Sequence, residues 1–594
     1  MATGTTARTE VEAEPRRPRG PAWTPGALVV AGYLGLALLL TSGQWRHPGR
    51  LFHQAGDQVL FEWMLARAAR AVVGLENPLY STALNAPDGV NLMANTSVLG
   101  LGVPLTPVTL LFGSQAAFTV AVLCCLAGTA TAWYVLLRRR LVTSRAAAAV
   151  GGLFCGFAPG MVSQAGAHLH MAAQFLVPAI LALVFRPAGG RVTRPGICLG
   201  LLVTWQVFLG EEVLVFLALA AGVFVVGYAL ADPAAARRAA PALLGRVGVG
   251  AAVAGVLLAY PLWFQFLGPQ HYRGMAFDAY GYQLDAASFT AAARQTVVGD
   301  DYLPGLLSPN PTEENSFFGP GLLVLTVVIV IWLRRRPLVR ALAGCGLLFA
   351  LLSLGAEIRV NGADTGIPGP YRLVAGLPLL DLAVPARFPL VCVPVLGILL
   401  ALSLERVREV RPAPARPAVP VRLLWAGAVA AALLPLTPTP IRTVPTAPVP
   451  PFVADGGWRA YVPAGRTLVA VPPVTGAAFS PAMFWSARTG LAFPAPGGYF
   501  IGPSARDDPS ARWGAPDRPT AVLLRRVAET GEVPVITDAD RQQAVADLRH
   551  WRAAVVVQGV LVHGDPVRRA VDDLLGPGRE IDGALVWDVR DRVG

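Results

Sequence analysis

Long uncharged apolar runs alternate with short polar connections over the first three quarters of the chain, and the last quarter follows a different pattern. Runs at 23–42, 97–113, 115–137, 145–162, 171–186, 197–210, 213–231, 247–267, 318–333, 338–355, 386–404 and 423–438 approach the ~20 apolar residues that a bilayer crossing needs. Pro104 and Pro107 break the 97–113 run, which is therefore expected to be re-entrant or interfacial. The pattern predicts an α-helical polytopic membrane protein with about eleven transmembrane helices and one re-entrant segment over residues 23–438. Beyond a Pro/Thr-rich linker, Pro435–Pro451, β-branched runs at 467–471, 553–557 and 584–589 mix with amphipathic stretches near 519–529, 539–550 and 566–575. That mixture predicts a soluble α/β domain over 439–594. No P-loop accompanies it, and Gly497-Gly498 sits among prolines as a turn.

Composition sharpens this picture. With 54% hydrophobic residues, 14% charged residues and a mean hydropathy of +0.52, the chain is not a soluble globular protein. The net charge of +12 would suit a nucleic-acid binder, but the arginines cluster between apolar runs, at Arg138–Arg140, Arg186, Arg191, Arg194, Arg237, Arg238 and Arg334–Arg336. Positive-inside placement puts those connections and the 1–22 tail in the cytoplasm and argues against a nucleic-acid partner. It leaves the loops 43–96, 268–317 and 356–385, and the C-terminal domain, on the exoplasmic side. All six cysteines lie in apolar runs, where a thiol is a small hydrophobe, and none has metal-ligand spacing.

Chemistry is therefore expected in the outer loops. Gly56-Asp57-Gln58 opens an amphipathic stretch in which Asp57, Phe61, Met64 or Leu65, Ala68 and Val72 share an apolar face, while Trp63, Arg67 and Arg70 share another. Asp57 is then either a desolvated carboxylate with the raised pKa of a general base or a helix N-cap. His168 and His170 lie two apart, a spacing that favours an interfacial loop over a metal site. Glu211-Glu212 stands between two apolar runs, either as a like-charge pair sharing a proton or as solvated carboxylates at the membrane edge. The 268–317 loop mixes His271, Tyr272, Arg273, Asp278, Tyr280, Tyr282, Asp300, Asp301, Tyr302, Glu313, Glu314 and Asn315. Such a mixture suits sugar rings, though any wet membrane-surface loop has the same character. Arg372 and Arg387 fall outside, against the inward bias of the other arginines; Arg387 either holds a phosphate or snorkels.

This layout, a first helix, an outer loop opening on an acidic motif, many crossings and an outer C-terminal domain, resembles the GT-C superfamily of polyprenyl-phosphate-dependent glycosyltransferases. The Asn85-Ala-Pro-Asp-Gly89 segment, the 377–388 segment with Pro385-Ala-Arg-Phe388, and Val471-Pro-Pro473 are similar to bacterial membrane proteins described as glycosyltransferase-like. The resemblance implies a multi-pass protein of the bacterial plasma membrane that moves a sugar from a polyprenyl-phosphate donor to an extracytoplasmic glycan, lipid or protein acceptor. By position, Asp57 would be the acceptor-activating base, and Arg387 or Arg372 the donor-phosphate partner. Glu62, His168, His170, Glu211, Glu212 and Arg273 would complete the substrate site. Many members pair two acidic residues at the opening motif; here Gln58 follows Asp57 and the nearest carboxylate is Glu62. A monophosphate leaving group clamped by Arg calls for no metal and no cofactor. The alternative is a non-catalytic membrane protein, a lipid or glycan transporter or an envelope assembly factor.

Overall fold

The computed structural model describes residues 25–593, apart from 188, 190, 279, 280, 378, 379, 411–420 and 475. The N-terminal tail expected to be cytoplasmic and the middle of the 405–422 connection lie outside the described residues. The protein is mostly helical. Among the described residues four helices are long and apolar enough to cross a membrane: Thr106–Arg140, Glu211–Ala231, Pro233–Leu267 and Pro385–Glu409. A fifth span results if Arg145–Phe157 and Pro159–Ala165, bent by 43° at Ala158, count together. Pro25–Leu40, Gly319–Leu333, Pro337–Leu352 and Val421–Leu436 are shorter apolar helices. Of the eleven expected crossings, four or five are thus helices of full length among the described residues, because run length in sequence overstates helix length. The 171–186 run, for example, forms only the eight-residue helix Val177–Val184.

Burial separates the spans into inner and outer ones. Pro385–Glu409 has 78% of its most apolar stretch buried in protein, whereas Glu211–Ala231 has 11%. A helix with no charge beyond its first turn and so apolar, left that bare, is stable only against lipid, which makes this a membrane protein. The 97–113 run is the short helix Leu99–Gly102 followed by the first turns of Thr106–Arg140, which break at Gly113 in the left-handed region (φ 84°). Its Leu110, Leu111 and Phe112 are exposed.

The inner helices meet through small residues. A Cβ placed on Gly156 would stand 2.6 Å from Ala130 Cβ and 2.7 Å from both Ala130 N and Leu126 O. Arg145–Phe157 therefore packs on Thr106–Arg140 at backbone contact. The Arg-rich connections gather at one end of this bundle: Arg340 donates to Ala231 O, Arg246 to Val184 O and Arg186 O, and Arg422 to Arg408 O. Glu211–Ala231 runs from that end to Glu211 and Glu212, about 31 Å away at 1.5 Å per residue.

Helix Ala55–Gly74 departs from expectation. It is no interfacial helix with one apolar face, because Phe61 and Leu65 are buried and so are Trp63 and Arg67 from the supposedly polar side. Thr106–Arg140, Leu99–Gly102 and, from the C-terminal region, Pro481–Arg488 pack around it.

The stretch from 435 to 451, expected as a linker, is held in place. Thr443–Pro445 pairs antiparallel with Arg50–Phe52, and Ile441 N donates to Leu40 O. Beyond it lies a four-stranded sheet in the order Arg579–Ile581, Ala584–Asp588, Ala553–Gln558, Thr467–Ala470, whose last pair is parallel. Side chains alternate across it: Val469 and Val556 face helices Pro519–Thr530, Asp538–His550 and Gly564–Leu575, while Leu468, Val555 and Val557 join the large core shared with the helical bundle. Burial on both faces explains the continuous apolar run Ala553–Val557.

The close Gly156 contact makes a prediction. Gly156→Leu, which overpacks backbone, lowers stability by about 1–3 kcal/mol or prevents accumulation of folded protein. Gly222→Leu, on the lipid-facing helix with nothing within 4 Å of the added Cβ, leaves it unchanged. Thermal unfolding of the two detergent-solubilised variants reads the difference.

Candidate functional site

Three helix starts and one loop converge at the end of the bundle away from the Arg-rich connections. Asp57 stands in the first turn of Ala55–Gly74, Glu212 in the first turn of Glu211–Ala231, and Arg387 in the turn that leads into Pro389–Glu409. The loop 312–316 brings Glu313, Glu314, Asn315 and Ser316, all buried. His168 and His170 enter from the turn after Pro159–Ala165. Gly210 is required here, since a Cβ on it would lie 2.5 Å from His170 O and hold the Glu212 end away from the histidines.

Arg387 is the centre of this cluster. Its Nε and Nη2 donate to Glu313 Oε1 at 2.8 and 2.7 Å, and its Nη1 donates to Glu212 Oε2 at 2.5 Å. Three of the five guanidinium N–H donors are thereby used, and two remain for a ligand. Glu313 Oε2 accepts from Gln164 Nε2 at 3.1 Å and from Asn315 Nδ2 at 2.9 Å, and Asn315 Nδ2 also donates to Ala386 O. Glu314 turns the other way, accepts the Arg294 N–H at 2.8 Å, and is pushed by burial up to about 7.

The hydrogen bonds fix the tautomer of His168. Gln164 spends its amide N–H groups on Glu313 Oε2 and Asn315 Oδ1, so its Oε1 is left to accept from His168 Nδ1 at 2.9 Å. Burial, with the Arg387 charge, holds His168 well below the usual imidazole pKa, and the ring is neutral. Its Nε2 is then an acceptor, and it faces Asp57 Oδ2 at 3.8 Å. Two facing acceptors call for a proton donor between them. Asp57 Oδ1 is occupied by the Tyr499 hydroxyl, which donates at 2.6 Å from the C-terminal region. Burial raises the Asp57 pKa above the ordinary carboxylate value; the Tyr499 hydrogen bond and Arg387 oppose the shift, and the Glu313 charge adds to it. Asp57 is not a helix cap: the helix begins two residues earlier and the carboxylate bonds Tyr499 instead of backbone N–H.

An apolar cavity of about 600 Å³ begins one turn below the charged groups. Met171 and Val213, next to His170 and Glu212 in sequence, and Leu390, three residues after Arg387, line its near end, and Leu141, Phe185 and Ala236 its far end. Polar head and apolar shaft together fit an amphiphile.

Of the residues singled out in the sequence, Asp57, His168, His170, Glu212 and Arg387 come together here, with the His170 ring 5.5 Å from that of His168. Glu211 faces sideways to Gln265 Nε2 at 3.0 Å. Glu62 is fully buried in another network, where Gln58 donates to it at 2.7 Å and Arg488 approaches to 3.1 Å. Arg372 is exposed in the turn Pro370–Leu373, and Arg273 is exposed and joins Pro509 and Ala511 through its backbone. Gln164 and Tyr499 join the cluster without having been singled out in the sequence, and Glu313 and Asn315 were named only within the polar and aromatic mixture of the 268–317 loop. Glu313 carried a signal of the same kind as Glu212, an ionisable doublet just before an apolar helix. Among the described residues no group of three His, Cys, Asp or Glu side chains is disposed to hold a metal ion.

Fold and site define a polytopic membrane protein with a buried acidic centre at the mouth of an apolar cavity. The chain belongs to the family described as "Domain of unknown function (DUF6311)", whose model matches residues 30–375. No curated protein matches the sequence. Among solved structures, it is similar to the arabinofuranosyltransferase AftD from Mycobacteria, at 16% identity and a TM-score of 0.45 over 90% of this chain and 36% of that one. It is also similar to the oligosaccharyltransferase AglB from Archaeoglobus fulgidus in complex with an inhibitory peptide and a dolichol-phosphate, at 12% identity and a TM-score of 0.43 over 90% of this chain and 69% of that one. The chain thus spans about a third of the length of AftD.

Removing the central cation tests the cluster. Arg387→Met strands the buried Glu313 carboxylate and the half-buried Glu212 one and destabilises the protein by about 3–5 kcal/mol. Adding Glu313→Gln in the same chain recovers part of that loss, whereas independent sites would give additive losses. Denaturant or thermal unfolding of the single and double variants measures the coupling.

Proposed function

We propose that the protein is a membrane glycosyltransferase that moves a sugar from a polyprenyl-phosphate donor to an acceptor hydroxyl. The observation that carries this reading is the facing pair Asp57 Oδ2 and His168 Nε2, placed beside Arg387 at the mouth of a long apolar cavity. The isoprenoid tail occupies the cavity, and the donor phosphate meets the two remaining N–H donors of Arg387. The acceptor hydroxyl enters between Asp57 and His168. Asp57 takes its proton as the oxygen attacks the anomeric carbon; the carbon–oxygen bond to phosphate breaks, and its electron pair leaves with the phosphate toward Arg387. Positive charge develops on the sugar ring in such transfers, and an acidic surrounding stabilises it. The Arg-rich connections at the other end of the bundle support, by the positive-inside rule, a reading in which this chemistry is extracytoplasmic. The bacterial plasma membrane and an envelope acceptor belong to the same reading.

A transporter would carry its ionisable groups within the crossings and would show repeated halves. The carboxylates here gather at helix starts and in one loop, which favours an enzyme.

Asp57→Asn lowers transfer from a radiolabelled polyprenyl-phosphate sugar in membranes by about a hundred- to ten-thousandfold, with the protein still folded. Full transfer by that variant would remove the base assignment. Because the base acts deprotonated, kcat/KM falls as pH falls through the Asp57 pKa, and burial sets that limb above the pH of an ordinary aspartate. Tyr499→Phe removes a hydrogen bond that favours the charged form, so the acidic limb moves further up in pH.

A further inference from the structure

Beside Asp57 stands a ledge of aromatic rings that the reaction above does not use. Phe277 stacks on Trp513 with centroids 5.9 Å apart and planes 15° apart. Tyr282 meets the Phe277 ring edge-on at 4.9 Å, and Tyr499 meets Trp513 at 5.2 Å. Other aromatic pairs, such as Phe52 with Phe118 or Trp458 with Phe493, are buried on both sides. All four ledge residues are partly exposed.

The ledge is built from two distant parts of the chain and is held rigidly. Tyr282 O accepts from Ala386 N, next to Arg387. The hairpin of Ile501–Pro503 and Ala511–Trp513 is tied to the first outer loop by Asn95, which donates to Ile501 O at 2.8 Å and accepts from Ile501 N at 2.7 Å. It is tied to the 268–317 loop by the backbone of Arg273, which bonds Pro509 and Ala511. Tyr499 links ledge and base: its ring packs on Trp513 while its hydroxyl donates to Asp57.

We infer that Phe277, Tyr282, Tyr499 and Trp513 form an acceptor subsite that stacks the ring of a neutral sugar, so that one of its hydroxyls points at Asp57 Oδ2. This deepens the glycosyl-transfer reading and rests on it; it narrows the acceptor to a glycan. Sugar C–H faces pack on aromatic faces while hydroxyls reach polar groups beyond the rim. The adjoining centre holds the carboxylates of Asp57, Glu212 and Glu313 around one guanidinium, which the donor phosphate claims in the reading above, so an acceptor's own carboxylate or phosphate finds no partner cation within this cluster.

The test uses the full chain in nanodiscs and saturation-transfer NMR with neutral methyl hexosides and methyl pentofuranosides as probes. One or more of these probes is expected to receive saturation on the C–H groups of a single ring face. Trp513→Ala weakens that signal about tenfold, while Trp513→Phe keeps most of it. Asp57→Asn keeps the signal while losing transfer, which separates failure of the ledge from failure of the base. In the transfer assay, Trp513→Ala raises the KM for the acceptor and leaves the KM for the lipid-linked donor unchanged. No single-face saturation with any probe, an unaltered signal in folded Trp513→Ala, or a raised donor KM in place of the acceptor KM would overturn the proposal.

Discussion

The structure turns on one desolvated guanidinium. Taking Arg387, Glu212 and Glu313 out of water costs several kcal/mol per ion, and that cost is offset only where geometry is good and the remaining lone pairs are met. The Gln164 and Asn315 amides meet those of Glu313, and they are fixed in turn by His168 and Ala386 O. Bringing these groups together requires the helices beneath them to approach closely. A Cβ on Gly397 would lie 2.4 Å from Cys155 Sγ, and one on Gly151 would lie 2.7 Å from Gly397 O. Small residues in Arg145–Phe157 and Pro389–Glu409 therefore allow the approach that sets Arg387 against the Glu313–Gln164 pair.

The helix that carries Asp57 is positioned by a second buried network, on its far side. Glu62 lies between Gln58 and Arg488, Gln58 accepts from Gln44, and Thr119 donates to Gln44. Arg488 belongs to Pro481–Arg488 and also donates to Gln115 on the Thr106–Arg140 helix. The C-terminal region is thus bonded to the membrane bundle on one side of Ala55–Gly74 through Arg488 and on the other through Tyr499. Asp57 is held between them, and its geometry depends on residues more than four hundred positions away.

Some of this was legible in the sequence because desolvation leaves a local mark. Asp57, Glu212 and Arg387 each stand where a polar residue opens an apolar helix, and burial there is costly enough that the position itself carries information. The strands at 467–471 and 553–557 were legible for the converse reason, as apolar runs too short for a crossing. Gln164 and Tyr499 left no such mark, since an uncharged amide in a helix or a tyrosine in a turn reads the same whether or not it meets a partner 149 or 442 residues away. Arg372 shows the limit of reasoning from charge alone: it opposes the inward bias of arginine as Arg387 does, yet it lies on the exposed surface. Helix Ala55–Gly74 was misread on its faces because periodicity reports one apolar partner, whereas this helix has packing on nearly every side.

The same burial decides which of the two facing acceptors takes a proton. Desolvation acts with opposite sign on the two groups, raising the pKa of a carboxylic acid and lowering that of an imidazolium. Arg387 reinforces the effect on His168 and opposes it on Asp57, without reversing the raised value there. A proton delivered between Oδ2 and Nε2 therefore rests on Asp57, where it removes a buried charge, and not on His168, where it would place a cation beside the guanidinium. The neutral His168 ring is held through Gln164 to Glu313 and so to Arg387. His168, Gln164, Glu313 and Arg387 are thereby joined in one continuous set of hydrogen bonds, and Asp57 faces it across 3.8 Å.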